Sequence, residues 1–511
     1  MKTIVKTKQD QKDWFRVKKY PHIGLPLTRR NRSWVQAYVQ DKTKVEVHSF
    51  LPFIHKVAKV RRFRKEINPD GSRSKLRVPS EKKRELFYSS HLDSNIYSYY
   101  AEIISKEYET KINALDVAEC VTAYRRIPLD PAKPNSRNKC NVDFANDVFT
   151  YIKEHPAQQL VAITFDIKSF FDTLDHKRLK RMWRTVMETG ADLPPDHYNV
   201  YRNITKFSYV EEREIFNLFK ARILVEREPS TIKKKSIARR KFLKGKRAIA
   251  FCLEHEIAML RENNYIKANK YIIHEDGTKT LRQKGIPQGS PISSVLANVY
   301  MLDFDIQAKA FVGEEGIYRR YSDDMVVVCT PERESEVIDF FESTIKEFAL
   351  ELQSTKTQVF HFIKEGEAAR FECRQKNLNT GQLQINTKFE YLGFQFDGFH
   401  TYLKSSSLAS YYRKMKRTIK RGYFYSVYNK TKTKGELFKN RLYKRFTHLG
   451  AHRRRIFQRD RSNPSHFVIT HKFDWGNYLS YAYLAADVIP DNKIRRQVRK
   501  HWTKFHTLIK K

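Results

Sequence analysis

Three acidic residues stand where a metal-dependent phosphoryl transfer could be run. Asp166 lies at the end of a short apolar run, residues 159–167 (QLVAITFDI), and Asp323-Asp324 separate two strand-like pieces within residues 318–330. A buried strand that ends in a carboxylate presents it at the rim of a sheet, and a tight acidic turn between strands does the same. If those strands are neighbours, Asp166 comes to lie beside Asp323. Clustered carboxylates repel and need cations between them. Oxygen-only ligands favour Mg²⁺, which keeps waters and completes its shell from substrate phosphates. Two such ions about 4 Å apart can activate a 3′-hydroxyl and stabilise a pyrophosphate leaving group. An Asp-Asp doublet alone says little, because most such pairs are solvated turn residues or helix caps.

The elements that would position these acids follow from periodicity. Residues 1–85 are basic and turn-punctuated (Pro21, Pro26, Pro52, Asn68-Pro69-Asp70-Gly71), an extension with short elements. From residue 81 to about 112 the pattern is helical, with Leu92, Ile96, Tyr99, Tyr100, Ile103 and Ile104 at spacings of three and four. Residues 127–138 form a proline-rich loop flanked by Arg125-Arg126 and Lys139, and a helix follows over about 143–153. Residues 177–283 mix helices with a basic stretch, 231–247, in which nine of seventeen residues are Lys or Arg. Residues 285–305 pass from a Pro/Gly loop into a helix, 318–330 read as strand–turn–strand, and 332–350 as an amphipathic helix. Strand-like pieces continue to about 399, and everything after about 405 reads as helical and basic. This order describes an α+β sheet backed by helices.

Composition sets the class of partner. The 511 residues carry 98 Lys+Arg against 57 Asp+Glu, a formal charge of +41. Residues 401–511 hold 28 Lys/Arg and only 5 Asp/Glu, over half of that net charge. Self-repulsion of this size is relieved by a polyanion, and phosphate backbones relieve it through counterion release. With 34 Phe and 28 Tyr, wholesale disorder is excluded. No apolar run is long enough for a membrane span, and the basic N-terminus is followed by no apolar signal core. Five widely spaced cysteines suit a reducing cytosol and offer no zinc spacing. A soluble, cytoplasmic, nucleic-acid-binding protein is expected.

Five segments resemble, in order, the motifs of reverse transcriptases. Residues 165–176 (FDIKSFFDTLDH) look like the first catalytic motif, 286–298 (IPQGSPISSVLAN) like the dNTP-contacting motif, and 321–324 (YSDD) like the metal-binding turn. Residues 350–359 (LELQSTKTQV) and 389–394 (FEYLGF) look like the next two, the latter the primer grip. The resemblance implies a right-hand polymerase. Its parts would be fingers over 86–160, a palm with an RRM-like antiparallel sheet over 161–400 (with the 177–283 insertion), and a helical thumb over 401–511. The 1–85 region and the thumb's C-terminal end would be basic extensions. Carried over position by position, Asp166, Asp323 and Asp324, with the Ile167 carbonyl, would hold two Mg²⁺ ions. Lys356 would protonate or neutralise the leaving pyrophosphate. Phe171 would be the steric gate against a ribose 2′-OH, Gln288 and Gly289 would contact the incoming nucleotide, and Arg125 and Lys139 would hold its triphosphate. Asp172 and Asp175 read as capping residues, and His176 as support for the loop. Ser322 stands where many relatives carry Ala.

Within that family, residues 89–109, 123–126 (AYRR) and 144–152 resemble the bacterial unknown-group, abortive-infection and defence-associated enzymes. That branch implies anti-phage defence, DNA synthesis on a cognate non-coding RNA or with weak template guidance, and homo-oligomers. A group II intron-type or retron enzyme, or a non-catalytic RNA-binding scaffold, is the alternative. The basic, aromatic-studded stretches 411–421 and 452–461 are suited to phosphates and unpaired bases.

Overall fold

The computed structural model describes residues 14–67, 73–133, 136–227, 231–365, 370–428, 436–459, 465–474 and 476–510. The expected turn at 68–71 and the end of the basic stretch 452–461 lie outside the described residues. In chain order, β1 (Phe53–Ile67) and β2 (Arg73–Tyr88) form a long antiparallel ribbon, followed by α1 (His91–Ala114) and α2 (Asn141–Glu154). Strand β3 (Gln159–Asp166) leads to α3 (His176–Met187), and α4 (Ser293–Tyr300) and α5 (Leu302–Val312) precede β4 (Ile317–Tyr321) and β5 (Asp324–Cys329). Then come α6 (Glu334–Glu347), β6 (Gln358–Lys364), β7 (Phe371–Lys376), β8 (Leu383–Gln384) and the long α7 (Ser405–Val427).

The central sheet has the order β4-β5-β3-β6-β7-β8 and is antiparallel throughout. Along β3, Val161, Ile163 and Phe165 enter one apolar cluster with α1, α3, α4, α5 and α6. Leu160 and Ala162 enter a second cluster, with α2, the hairpin of Phe389–Tyr391 and Phe394–Phe396, and the C-terminal helices. Both faces of the strand are therefore covered, and that is why Leu160–Ile163 is a continuous apolar run rather than an alternating one. The architecture is α+β, as expected.

Several local expectations are corrected. The helix expected from residue 81 starts only at His91, because residues 81–88 pair in register with Ile54–Arg61 of β1; Ser90 then caps the helix, its Oγ accepting from the Asp93 amide at 3.2 Å. The extension expected over 1–85 thus contains strands of 15 and 16 residues. The basic stretch 231–247 opens as an edge strand, Thr231–Lys235, of a small sheet that also holds Ile223–Arg227, Ala248–Cys252 and His22–Ile23. That sheet packs on its own apolar cluster around Phe216, Phe219 and Phe251. The region after 405 is not wholly helical, since Arg454–Arg459 pairs with Phe467–Asp474. Helix α2 lies within the 86–160 segment, and its Phe149 stacks on Phe396 at 4.9 Å.

Candidate active site

The register of the sheet assembles the acids. Asp166, the last residue of β3, lies directly opposite Asp324, the first of β5, and the Ile167 amide donates to the Asp323 carbonyl at 3.1 Å. Lys356 reaches the same rim from the turn before β6, its Nζ 2.5 Å from Asp166 Oδ1. Asp324 keeps solvent access, but the crowd of protein around its carboxyl and the charges of Asp323 and Asp166 push its pKa up to about 6; Lys356 and Lys404 pull the other way. The Ile167 amide and carbonyl turn to the Asp323 side, as backbone alternation requires, and no amide among the described residues donates to that carbonyl. Among the described residues no three His, Cys, Asp or Glu side chains converge on one point, and Asp166 is paired with Lys356. The donor set, hard oxygens on an accessible rim, fits Mg²⁺.

Residues 283–286 zip along 171–176: Ile286 N donates to Phe171 O, Gly285 N to Leu174 O and His176 N to Gln283 O, each at 2.8 Å. His176 Nε2 meets the Gly285 carbonyl at 2.8 Å, and Asp175 caps α3 by accepting from Arg178 N. Both are supporting residues, as expected. The zipper ties Phe171, half-buried against Phe170, to the start of the loop that carries Gln288 and Gly289. That loop also leans on β2. Phe87 N donates to Gln288 O at 2.8 Å, and a Cβ on Gly289 (φ +112°) would meet Phe87 O at 2.7 Å. A cleft of about 650 Å³ opens beside it, lined by Ser290, Pro291, Ser294, Tyr124, Arg126 and Trp14.

The acidic turn is a two-residue hairpin loop closed by the Tyr321–Asp324 pair, with Ser322 at φ +64°. A left-handed non-glycine residue costs roughly 1–3 kcal/mol, and its surroundings must over-determine it. They do: Ser322 is buried, its Oγ bonds the Tyr124 hydroxyl at 3.1 Å, and its carbonyl accepts from Arg320 Nη1 at 3.3 Å. Arg320 is itself fully buried and held by Asp305 through Nε at 2.7 Å and Nη2 at 2.5 Å. Asp305 also accepts from Tyr318, and Asn298 accepts from Arg320. Sequence reasoning misses Tyr124, Asp305, Asn298 and Lys404. One signal was available: Tyr318 and Arg320 share a strand face, and a cation on an inward face needs a buried anion.

Arg125 is not free to hold a triphosphate. Its side chain is 6% exposed, Nε and Nη2 grip Glu109 at 2.8 and 2.7 Å, and Nη1 donates to the Ala118 and Val121 carbonyls. It ties the proline-rich loop to α1. Lys139 sits at the neck of that loop and pairs with Asp147 on α2 at 3.0 Å. Neither is turned to the acidic rim.

Residues 243–396 match the family model for reverse transcriptase (RNA-dependent DNA polymerase). The chain carries a reverse transcriptase domain. The match spans the Gln288 loop, the acidic turn and the 389–396 hairpin, while Asp166 lies before it and is joined to the domain by the sheet register. No curated protein matches the chain. Solved structures similar to it include apo telomerase from Candida tropicalis, at 12% identity and a TM-score of 0.37, covering 97% of this chain and 67% of that one. Telomerase from Candida albicans in complex with a TWJ fragment of telomeric RNA is similar at 11% identity and a TM-score of 0.35, covering 94% and 58%. This chain spans between about half and two thirds of the length of the telomerase chains it matches. No helix among the described residues is long and apolar enough to cross a membrane.

Proposed function

We propose that this reverse transcriptase domain serves a bacterial anti-phage defence system, joining dNTPs on a cognate non-coding RNA by two-metal nucleotidyl transfer. The observation that carries the chemistry is the register that sets Asp166 opposite Asp324 with Asp323 beside them, a repulsive arrangement that a merely RNA-binding scaffold has no use for. The defence role rests on the resemblance of residues 89–109, 123–126 and 144–152 to that branch.

Asp166, Asp323, Asp324 and the Ile167 carbonyl would hold the Mg²⁺ ions. When bound, these supply activation of a 3′-hydroxyl and neutralisation of the departing pyrophosphate. Lys356, now on Asp166, would turn to the pyrophosphate and give it a proton. Phe171 would exclude a 2′-hydroxyl by its bulk, and the Gln288-Gly289 backbone would bear on the nucleotide. The buried Arg320–Asp305 pair keeps the turn that presents the acids from moving.

The protein purified with its accompanying RNA is given labelled dNTPs and Mg²⁺ without added primer or template, and the product is sequenced. DNA complementary to the co-purified RNA, lost in Asp323→Asn/Asp324→Asn while RNA binding persists, is the expected result. Phe171→Ala should incorporate rNTPs. Phage protection that survives the double substitution would refute the catalytic account of the defence role.

A further inference from the structure

The ribbon of β1 and β2 is far longer than its anchorage. Only Phe53, Ile54 and His55 pair with another strand, Ser208–Glu211, and Lys56 makes the last tie, to Glu212 at 2.9 Å. Outward of Val57 and Glu85, the ladder partner of each strand is the other strand alone, through Lys65–Arg77 and on to Ile67–Arg73. A two-stranded hairpin with both faces in water is marginal by itself. This one also carries twelve Lys or Arg against four acidic residues over 53–88. Among the described residues, Arg77, Lys82, Lys83 and Arg84 are exposed and take part in no ion pair, and Val60, Phe63, Leu76 and Val78 are exposed alongside them. Cationic edges can serve simply to keep a free strand from pairing with other chains. Exposed apolar side chains between the cations work against that purpose and suit a surface that is covered in use.

The root of the ribbon says what covers it. Phe87, next to the anchorage, donates to the Gln288 carbonyl and lies against Gly289, so the arm springs from the loop expected to meet the nucleotide. The polyanion that must come to that loop is the RNA being copied. Between residues 58 and 84 the ribbon offers many cations for phosphates but a single ring, Phe63, on which an unpaired base could stack, and we infer that it is an arm that grips a double-helical part of that RNA through its phosphates, outside the cleft. The inference rests on the polymerase reading for the identity of the RNA.

Two variants test it, both checked by circular dichroism for the parent fold. In one, Arg77, Lys82, Lys83 and Arg84 are changed to Ala. In the other, residues 58–84 are replaced by Asn-Gly, which closes Val57 and Glu85 into a tight hairpin. Binding of a short RNA duplex, the same sequence as a DNA duplex, and single-stranded RNA is titrated over a range of salt. Both variants should bind duplex RNA about 10-fold or more weakly, with a shallower salt slope, lower by nearly one for each phosphate contact removed. Duplex RNA bound with the parent's affinity and slope overturns the inference. So does an equal loss for the DNA duplex or the single strand, which would make the arm a general polyanion contact. If the parent makes no DNA and the variants still lose duplex RNA, the polymerase reading fails while the arm's role stands.

Discussion

Removing the Asp305 carboxylate should do two separable kinds of damage. Asp305 and Arg320 are both fully buried, and Asp305 accepts from Arg320 Nε, Arg320 Nη2 and the Tyr318 hydroxyl. Burial disfavours the Arg320 charge, and it is the Asp305 carboxylate that restores it; burial, then Asp305, likewise raises the Tyr318 hydroxyl. In Asp305→Leu a guanidinium is left in the core without a counter-ion, which costs about 3–5 kcal/mol. The orphaned Tyr318 hydroxyl is worth about 1–3 kcal/mol alone, but it shares the network, so the two do not add. About 3–5 kcal/mol is therefore expected, against a total domain stability of about 5–15 kcal/mol. Urea unfolding is followed by tryptophan fluorescence, for which the fully buried Trp183 lies in the same apolar cluster as Tyr318. Pairing Asp305→Leu with Arg320→Met removes both charges and should recover most of the loss. The double variant should nonetheless polymerise slowly, because the Ser322 carbonyl and Asn298 have lost their donor. A single-variant cost below about 1 kcal/mol, or a double variant no more stable than the single, would refute the reasoning.

Two other predictions come from backbone and burial. Gly289→Ala places a methyl group 2.7 Å from Phe87 O at φ +112°, so the loop must lift from β2. KM for dNTPs should rise while the urea midpoint moves little, and an unchanged KM would detach this loop from nucleotide binding. Burial, together with the His91 charge, holds the pKa of His22 down to about 3; burial and then Lys18 hold that of His91 to about 4. Below about pH 6.5 the unfolded chain takes up protons on both residues and the folded chain does not, so stability falls as pH falls, by at most about 1.4 kcal/mol per pH unit for each. His22→Phe/His91→Phe should flatten this limb between roughly pH 4 and 6.5, and an unchanged slope in urea melts across that range would place the acid sensitivity elsewhere.

The parts of this molecule that were legible in sequence are those where a local pattern and its burial coincide. Strands β3 and β5 are short apolar runs because helices cover both faces of the sheet, and their acids fall at the rim because the runs end there. What bridges distant segments left no local trace. Arg125 beside a loop reads as a cation awaiting phosphate, and nothing within that stretch shows that Glu109, one helix earlier, already holds it. The ribbon reads as an irregular extension because apolar alternation marks a strand only where one face is buried, and most of this one has no core to face. The Arg320–Asp305 pair lies between these cases. In residues 317–321 (IYRRY), followed by an acidic turn, strand alternation sends Tyr318 and Arg320 to the same side, and of the two anions that open α5, Asp303 stays part-exposed on Arg178 while Asp305 is buried. A fully buried cation two residues before the acidic turn needs an anion of its own, because leaving it unpaired in the core costs several kcal/mol. Asp305 thus pairs with Arg320 inside the core, and Arg320 makes no ion pair with Asp166, Asp323 or Asp324, the residues proposed to hold the cations of the reaction.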